Sequence, residues 1–434
     1  MKFYNREKEL KNLQEIELLS KTSSKMSVIV GRRRIGKTSL IKHTYKEKVY
    51  LFVSKKDEPL LCEEFISIIS NTLNIKILGS FASFAKLFEY IMQLAQTIHF
   101  TLVIDEFQEF LHINDSIYSD MQNIWDEYKE SSKMNLILSG SIYSLMKKIF
   151  EDKKEPLFGR ANNKIHLKAF SVNTLEEIVR ENYPDFSKKD LLSFYTFTGG
   201  VAKYVEILVD KQAFTFEKQL DMILEENSLF LEEGKNILIE EFGKHFTTYF
   251  SILSLISSSK TSRTEIESIL EKNIGGYLDR LENEYSIIKK IKPIFAKEGS
   301  RSIKYEIIDN FFNFWFRFIY KNKSAIEIEN YEYVKEIIKR DFSTYSGKML
   351  ERFILEKLKL SNNYSDLGTY WESKNQNEID IVAINDLEKT MLIGEVKLNP
   401  KKIDINLLKQ KSTKLISKYS KYNVEYMGYS LEDL

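Results

Sequence analysis

Residues 26–45 read MSVIVGRRRIGKTSLIKHTY, and the run from Gly31 to Thr38 constrains the fold more than any other part of the chain. A short β-branched run, Ser27 to Val30, ends at Gly31, and helix-forming composition resumes at Ser39. Between them stand Gly31, Gly36, Lys37 and Thr38 in the pattern G-x-x-x-x-G-K-T. Glycines there let successive backbone N–H groups converge on one anion at a helix N-terminus. Strand before and helix after is the context this loop needs, and it predicts an α/β core on a parallel sheet. The loop through Gly31, Arg32, Arg33, Arg34, Ile35, Gly36, Lys37, Thr38 and Ser39 is the expected cradle for a triphosphate. Lys37 would reach the outer phosphates, and Thr38 would offer its hydroxyl to Mg2+.

A second segment supports the first. In HFTLVIDEFQEF (99–110) an apolar run ends in Asp105 and Glu106, as suits a nucleotide site at the carboxyl edge of a parallel sheet. Asp105 would hold Mg2+, and Glu106 would orient and deprotonate an attacking water. The next apolar run, NLILSGS (135–141), ends in Ser139 and Ser141, either of which would serve as a polar sensor of the outermost phosphate.

FYNREKELKNL (3–13), the glycine loop, LVIDEFQEF (102–110), LILSGS (136–141), PLFGR (156–160) and TGGVAKY (198–204) follow one another in that order. The series resembles the archaeal-type P-loop ATPases of the STAND/AAA-like group, relatives of the Orc1/Cdc6 initiators. That resemblance implies an ASCE-type parallel-sheet ATPase core with ATP and Mg2+ as cofactors. It places Asn5 and Arg6 near the adenine and makes the Gly199–Gly200 turn the opening of a lid helix. Arg160 would sense or neutralise phosphate charge, in cis or from a neighbouring subunit; the alternative is an ordinary surface arginine.

The remaining chain divides, on pattern, into a helical lid (169–240), a winged helix-turn-helix (241–309), a helical connector (310–343) and a C-terminal domain (344–434), after an ATPase core at 1–168. Helical spacing dominates 171–235. Helices over 262–271 and 273–288 precede two expected strands, KKIKPIFA (289–296) and IKYEIID (303–309). DNA contact and protein packing are both open for this module. Asp279, Glu282 and Glu284 would repel phosphates from its second helix, whereas Lys297, Arg301 and Lys304 suit a wing on the backbone. The aromatics of NFFNFWFRFIY (310–320) are read as core rather than as a base-stacking platform. With YSGKMLERFI (345–354) this region resembles the DUF234-type segment found fused to such ATPases.

NEIDIVAINDLEKTMLIGEVKLNP (377–400) holds two apolar runs with charge in the middle of each, which is costly unless the charges are paired or hold a metal. Asp380 lies on one expected strand, and Glu395 and Lys397 lie two apart on the next, so their side chains share a face. Glu351, on an amphipathic helix upstream, would join them. An acid on a helix, an aspartate on a strand and E-x-K on the next resembles the PD-(D/E)xK nuclease fold. By that resemblance Glu351, Asp380 and Glu395 would ligate metal, Lys397 would orient the nucleophile, and Glu378 would add a ligand or support. Trp371 reads as packing.

Composition bounds the rest. With 64 basic and 63 acidic side chains, any nucleic-acid footprint must be local. One cysteine, Cys62, fits a reducing compartment and excludes cysteine-based zinc sites. The charged start MKFYNREKEL has no apolar signal region, and no uncharged run reaches membrane length, so a cytoplasmic protein without a membrane partner is expected. Two functions follow. One is a P-loop ATPase coupled to a DNA-binding, metal-dependent nuclease-like module in DNA processing, mobile-element biology or defence. The other is a STAND-like switch that oligomerises with ATP and keeps an inactive nuclease fold for binding.

Overall fold

Five strands, β1 (Lys25–Val30), β2 (Val49–Phe52), β3 (Phe100–Asp105), β4 (Met134–Gly140) and β5 (Asn163–His166), form one parallel sheet of order β2-β3-β4-β1-β5. Every residue of β3 and β4 is buried, which is why these strands read as unbroken apolar runs rather than alternations. This is the expected α/β core. In the computed structural model, all residues are described except 244–245, 298, 300–301 and 373–375. The chain divides into two units, Asn5–Lys168 and a second made of Met1–Tyr4 with Ala169–Leu434.

The second unit begins with helices. Helix Lys188–Thr198 opens on a capping box between Ser187 and Asp190 and buries every residue from Asp190 onward. Its hydroxyls are satisfied internally, Ser193 on the Asp190 carbonyl, Thr196 on Leu192 and Thr198 on Phe194. Gly199 ends it in the left-handed region (φ 56), and a Cβ on Gly200 (φ 71) would sit 2.4 Å from the Phe170 carbonyl oxygen. The pair therefore closes one helix, and the next, Ala202–Asp210, follows at once.

Further on, helices Arg263–Leu270 and Gly275–Asn283 precede an antiparallel ribbon, β6 (Ile288–Ile291) with β7 (Lys304–Ile307). Two expectations need correction here. The second helix ends at Asn283 instead of 288, because Ser286 turns left-handed (φ 51). The first strand stops before Pro293, and 293–296 form a turn closed by Ala296 N–H on the Pro293 carbonyl; proline supplies no ladder donor. Arg301 of the expected wing lies outside the described residues. The aromatic stretch is core: Phe311, Phe312, Phe314, Trp315, Phe316 and Phe318 are buried, and the Trp315 indole donates to the Leu231 carbonyl at 2.9 Å.

A single thirty-residue helix, Tyr331–Leu360, runs through the expected boundary at 344. Three of its side chains tie separate parts of the unit together. Glu351 faces the C-terminal sheet, with the Asp380 charge beside it. Arg352 donates to Glu306 Oε1 (2.9 Å), Asn310 Oδ1 (2.8 Å) and the Ile307 carbonyl (2.8 Å) on and after β7. Glu356 accepts from Val172 N–H (3.1 Å) and the Tyr195 hydroxyl (3.3 Å) among the first helices.

Glu306 is buried with Arg352, and Lys289 (3.1 Å) and Lys348 (3.6 Å) lie near it. Burial pushes its carboxyl up, yet Arg352, Lys289 and Lys348 outweigh that and hold it down to about 2, from an ordinary 4.5. The folded value lies below the unfolded one, so this stabilisation is complete above about pH 4.5 and drains away as pH falls toward 2. Roughly 3 kcal/mol should be lost across that window. Chemical denaturation of wild type and Glu306→Gln at stepped pH checks it: the variant should lack most of the slope.

The C-terminal sheet has order β11-β10-β9-β8, built from β8 (Asp366–Tyr370), β9 (Ile379–Asn385), β10 (Thr390–Val396) and β11 (Asn423–Tyr429). β8, β9 and β10 pair antiparallel, whereas β10 and β11 are parallel and need the crossover helix Ile405–Ile416. Ile379, Val382, Met391, Ile393, Leu408 and Leu415 form the core between that helix and the sheet.

Candidate functional site

The glycine loop leaves β1 and enters helix Lys37–Thr44 through Gly36, left-handed at φ 102. Gly31 has no room for a side chain: a Cβ there would meet the Leu167 carbonyl oxygen and the Ile35 side chain, each at 3.0 Å. Lys37 is buried, and its Nζ donates back to the Gly31 (2.7 Å) and Arg32 (3.1 Å) carbonyls, so the ammonium lies inside the loop. Ile35 is buried, Arg32, Arg34, Gly36 and Thr38 are half-buried, and Arg33 and Ser39 are exposed.

Asn5 and Arg6 both sit at positive φ, 53 and 96. Arg6 Nη2 donates to the Lys168 carbonyl (2.6 Å), next to the Leu167 carbonyl that faces Gly31. Residues 5–6, 31 and 167–168 thus meet at the end of β1.

Asp105 ends β3 and is buried. One of its oxygens accepts from the Ser139 hydroxyl of β4, the other from the Tyr50 hydroxyl of β2. The Thr38 side chain lies near this phenol. Glu106, left-handed at φ 54, turns toward β4. Its Oε2 accepts from the Ser141 hydroxyl (2.7 Å), Ser141 N–H (3.2 Å) and Gln108 Nε2 (2.7 Å). Lys37, Thr38, Asp105 and Glu106 therefore converge at the carboxyl edge of the sheet. Ser139 is found holding Asp105, and Ser141 holding Glu106. Tyr50 and Gln108 were not anticipated. Their signal was there, a tyrosine on the strand flanking β3 and a glutamine just past the acids, but only the strand order shows that they meet the site.

Arg160 sits elsewhere. It precedes β5, whose first residue Asn163 is level with Ser27, while the glycine loop leaves the opposite end of β1. Several residues at about 3.3 Å each separate the two levels. Its guanidinium is held by Asp126 (2.8 and 3.0 Å) and by the Pro156 and Phe158 carbonyls (2.6 and 3.1 Å). The structure does not bring Arg160 to the glycine loop, and its pairing with Asp126 is also what an ordinary surface arginine would make.

At the C-terminal sheet, Asp380 Oδ2 accepts from Val396 N–H (2.8 Å), and Glu395 Oε2 accepts from Asp404 N–H (2.9 Å). Lys397 Nζ lies 3.4 Å from both carboxylates, and Lys411 Nζ lies 3.8 Å from Glu395. Burial raises Asp380, and burial followed by the Asp380 charge pushes Glu351 up to about 8. Glu378 precedes β9 and pairs with Lys304 (2.9 Å), so the expected added ligand is engaged elsewhere. Trp371 is packed, its indole donating to Ser302 Oγ (2.8 Å). Among the described residues no three His, Cys, Asp or Glu side chains gather as a metal site. Lys397 stands where the two acids would share an ion, and burial beside the Asp380 charge favours the neutral form of Glu351. This cluster does not fit a metal as arranged.

Residues 3–208 match the family described as an ATPase domain predominantly from Archaea. Residues 315–428 match DUF234, archaeal and bacterial proteins of unknown function. An uncharacterized protein of Methanocaldococcus jannaschii is 29% identical over 438 residues, covering 97% of this chain and 94% of its own. A Walker-type ATPase of Pyrococcus abyssi shares the fold at 18% identity and TM-score 0.55, over 72% of this chain and 96% of that one. The Aeropyrum pernix ORC2 protein, solved with ADPNP and ADP, aligns at 15% identity and TM-score 0.47, over 76% and 95%. The N-terminal part is thus an ATPase domain of the archaeal type. The chain as a whole joins that domain to a C-terminal DUF234 domain. Among the described residues no helix is long and apolar enough to cross a membrane.

Proposed function

We propose that this protein binds and hydrolyses ATP with Mg2+ in its N-terminal unit and uses that cycle to control a nuclease-like C-terminal module that engages DNA. The observation that carries the reading is the meeting of Lys37, Thr38, Asp105 and Glu106 at one sheet edge. The residues fit the ion: a threonine hydroxyl and an aspartate share one approach, beside a buried ammonium aimed into an amide-lined loop. Bound Mg2+ would offset charge on the phosphate oxygens. Lys37 swings from its two carbonyls to the phosphates, where it neutralises charge spread over the transferring group. Glu106 orients the attacking water once Ser141 and Gln108 release its Oε2. Arg160 would join this chemistry only from a neighbouring copy and after leaving Asp126, so self-association with ATP belongs to this reading as a condition.

For DNA, the ribbon is less suited than its sequence promised, since Lys304 of the expected wing pairs with Glu378, and Lys289 and Lys290 are engaged by Glu306 and Glu282. The crossover helix Ile405–Ile416 is better placed. From 405 to 424 the chain has five lysines and no acid, and Lys411 reaches Glu395 in the cluster. Lys411 beside that cluster, with Lys397, suits a phosphate drawn across it, whereas Lys414 is paired with Glu372.

The observation that Lys397 bridges two acids, with burial favouring the neutral form of Glu351, favours a second reading in which the module binds DNA without cutting. One experiment separates them. Labelled DNA is incubated with the protein in Mg2+, Mn2+ or EDTA, alongside Asp380→Ala and Lys397→Ala. Cleavage that needs metal and falls at least about a hundredfold in both variants, with ATPase intact, supports the nuclease. A salt-dependent shift without cleavage supports the binding module, and neither result would sink the DNA assignment altogether.

A further inference from the structure

We propose that the Tyr50 hydroxyl occupies the seat of the magnesium ion and its coordinating water between Thr38 and Asp105, so that the metal–nucleotide complex binds only by displacing it. The inference rests on the ATP reading above and adds a residue to it. Tyr50 lies on β2, where its neighbours Leu51 and Phe52 are level with Ile104 and Asp105 of β3. From there its ring carries the hydroxyl to the Asp105 carboxylate and to Thr38. A phenol has one proton. That proton goes to Asp105, so the phenol can offer the nearby Thr38 hydroxyl only an oxygen lone pair.

A metal needs the reverse from Thr38, an oxygen lone pair facing the seat with the proton turned away. The Asp105 oxygen would likewise have to exchange the phenol for a water of the ion. With the Ser139 hydroxyl on the other Asp105 oxygen, the carboxylate is hydrogen-bonded from both sides before any ion arrives. Phenol and hydrated cation therefore compete for the Asp105 carboxylate, in the space beside Thr38. Phosphate contacts in the glycine loop do not involve Tyr50, so binding of nucleotide without metal should be indifferent to it.

Isothermal titration of ADP into full-length wild type, Tyr50→Phe and Tyr50→Leu, each with Mg2+ and with EDTA, tests this. Phenylalanine keeps the ring and removes only the hydroxyl. Expected is a rise of about tenfold in affinity for Mg2+–ADP in Tyr50→Phe, the size of one charge-assisted hydrogen bond, with affinity in EDTA unchanged. Tyr50→Leu should show the same rise, and unchanged EDTA binding confirms that each variant is folded. Equal or weaker Mg2+–ADP binding in both variants, with wild type binding normally, overturns the Tyr50 proposal and leaves the ATP reading standing. Wild type that binds ADP in neither condition overturns both.

Discussion

Lys37→Ala lowers ATP turnover by about 10²–10³-fold, the loss expected when a fixed positive charge is removed from a developing phosphoryl transition state. The physical reason lies in how the side chain is stored. Its ammonium is buried and held by the Gly31 and Arg32 carbonyls, so it is desolvated before substrate arrives and needs to move only across the loop. Alanine leaves those carbonyls without their donor and the phosphates without a counter-charge. Steady-state phosphate release together with nucleotide titration measures both losses. Turnover and affinity equal to wild type would remove the phosphate cradle, and with it the motor assigned to this chain.

Arg352→Ala has the largest effect on folding. Glu306 is buried and depends on this guanidinium for two contacts, at 2.9 and 2.7 Å. Truncating one partner strands the other charge, a loss of about 3–5 kcal/mol. Lys289 and Lys348 remain near Glu306 but are themselves half-exposed and bind it less closely. Pairing Arg352→Met with Glu306→Leu should restore most of the loss, because the uncompensated charge goes with its partner. The denaturation transition of the Ala169–Leu434 unit is the measurement; a single variant within 1 kcal/mol of wild type, at roughly the level of an exposed pair, would show that the cluster is not buried in solution.

The nucleotide edge was legible because its signals are local. Gly31 to Thr38 and the Asp105–Glu106 pair declare themselves within a dozen residues, each ending a buried strand. Tyr50 was not legible, since nothing near it in sequence shows that β2 lies beside β3. That Arg160 lies away from the glycine loop was not legible for a related reason: the segment after β4 returns across the sheet before β5 begins, and that crossing is a matter of topology. The expected domain start at 344 falls inside a helix that runs on through Ser346 and Gly347. A lone glycine costs a helix about 1 kcal/mol relative to alanine, and burial of Val334, Ile338, Phe342, Met349 and Phe353 along one side offsets it. In the C-terminal sheet the order of acids and lysine was readable, but not that Lys397 would stand between Asp380 and Glu395.

The thirty-residue helix has a mechanical consequence. Within six positions it grips the capped lid helices through Glu356, the ribbon through Arg352 and the acid cluster through Glu351. A regular α-helix hardly stretches, and at about 100° per residue these grips point to different sides of one shaft. A tug at any of them is therefore passed on as rotation or sliding of the whole rod, and the other two attachments must yield or follow.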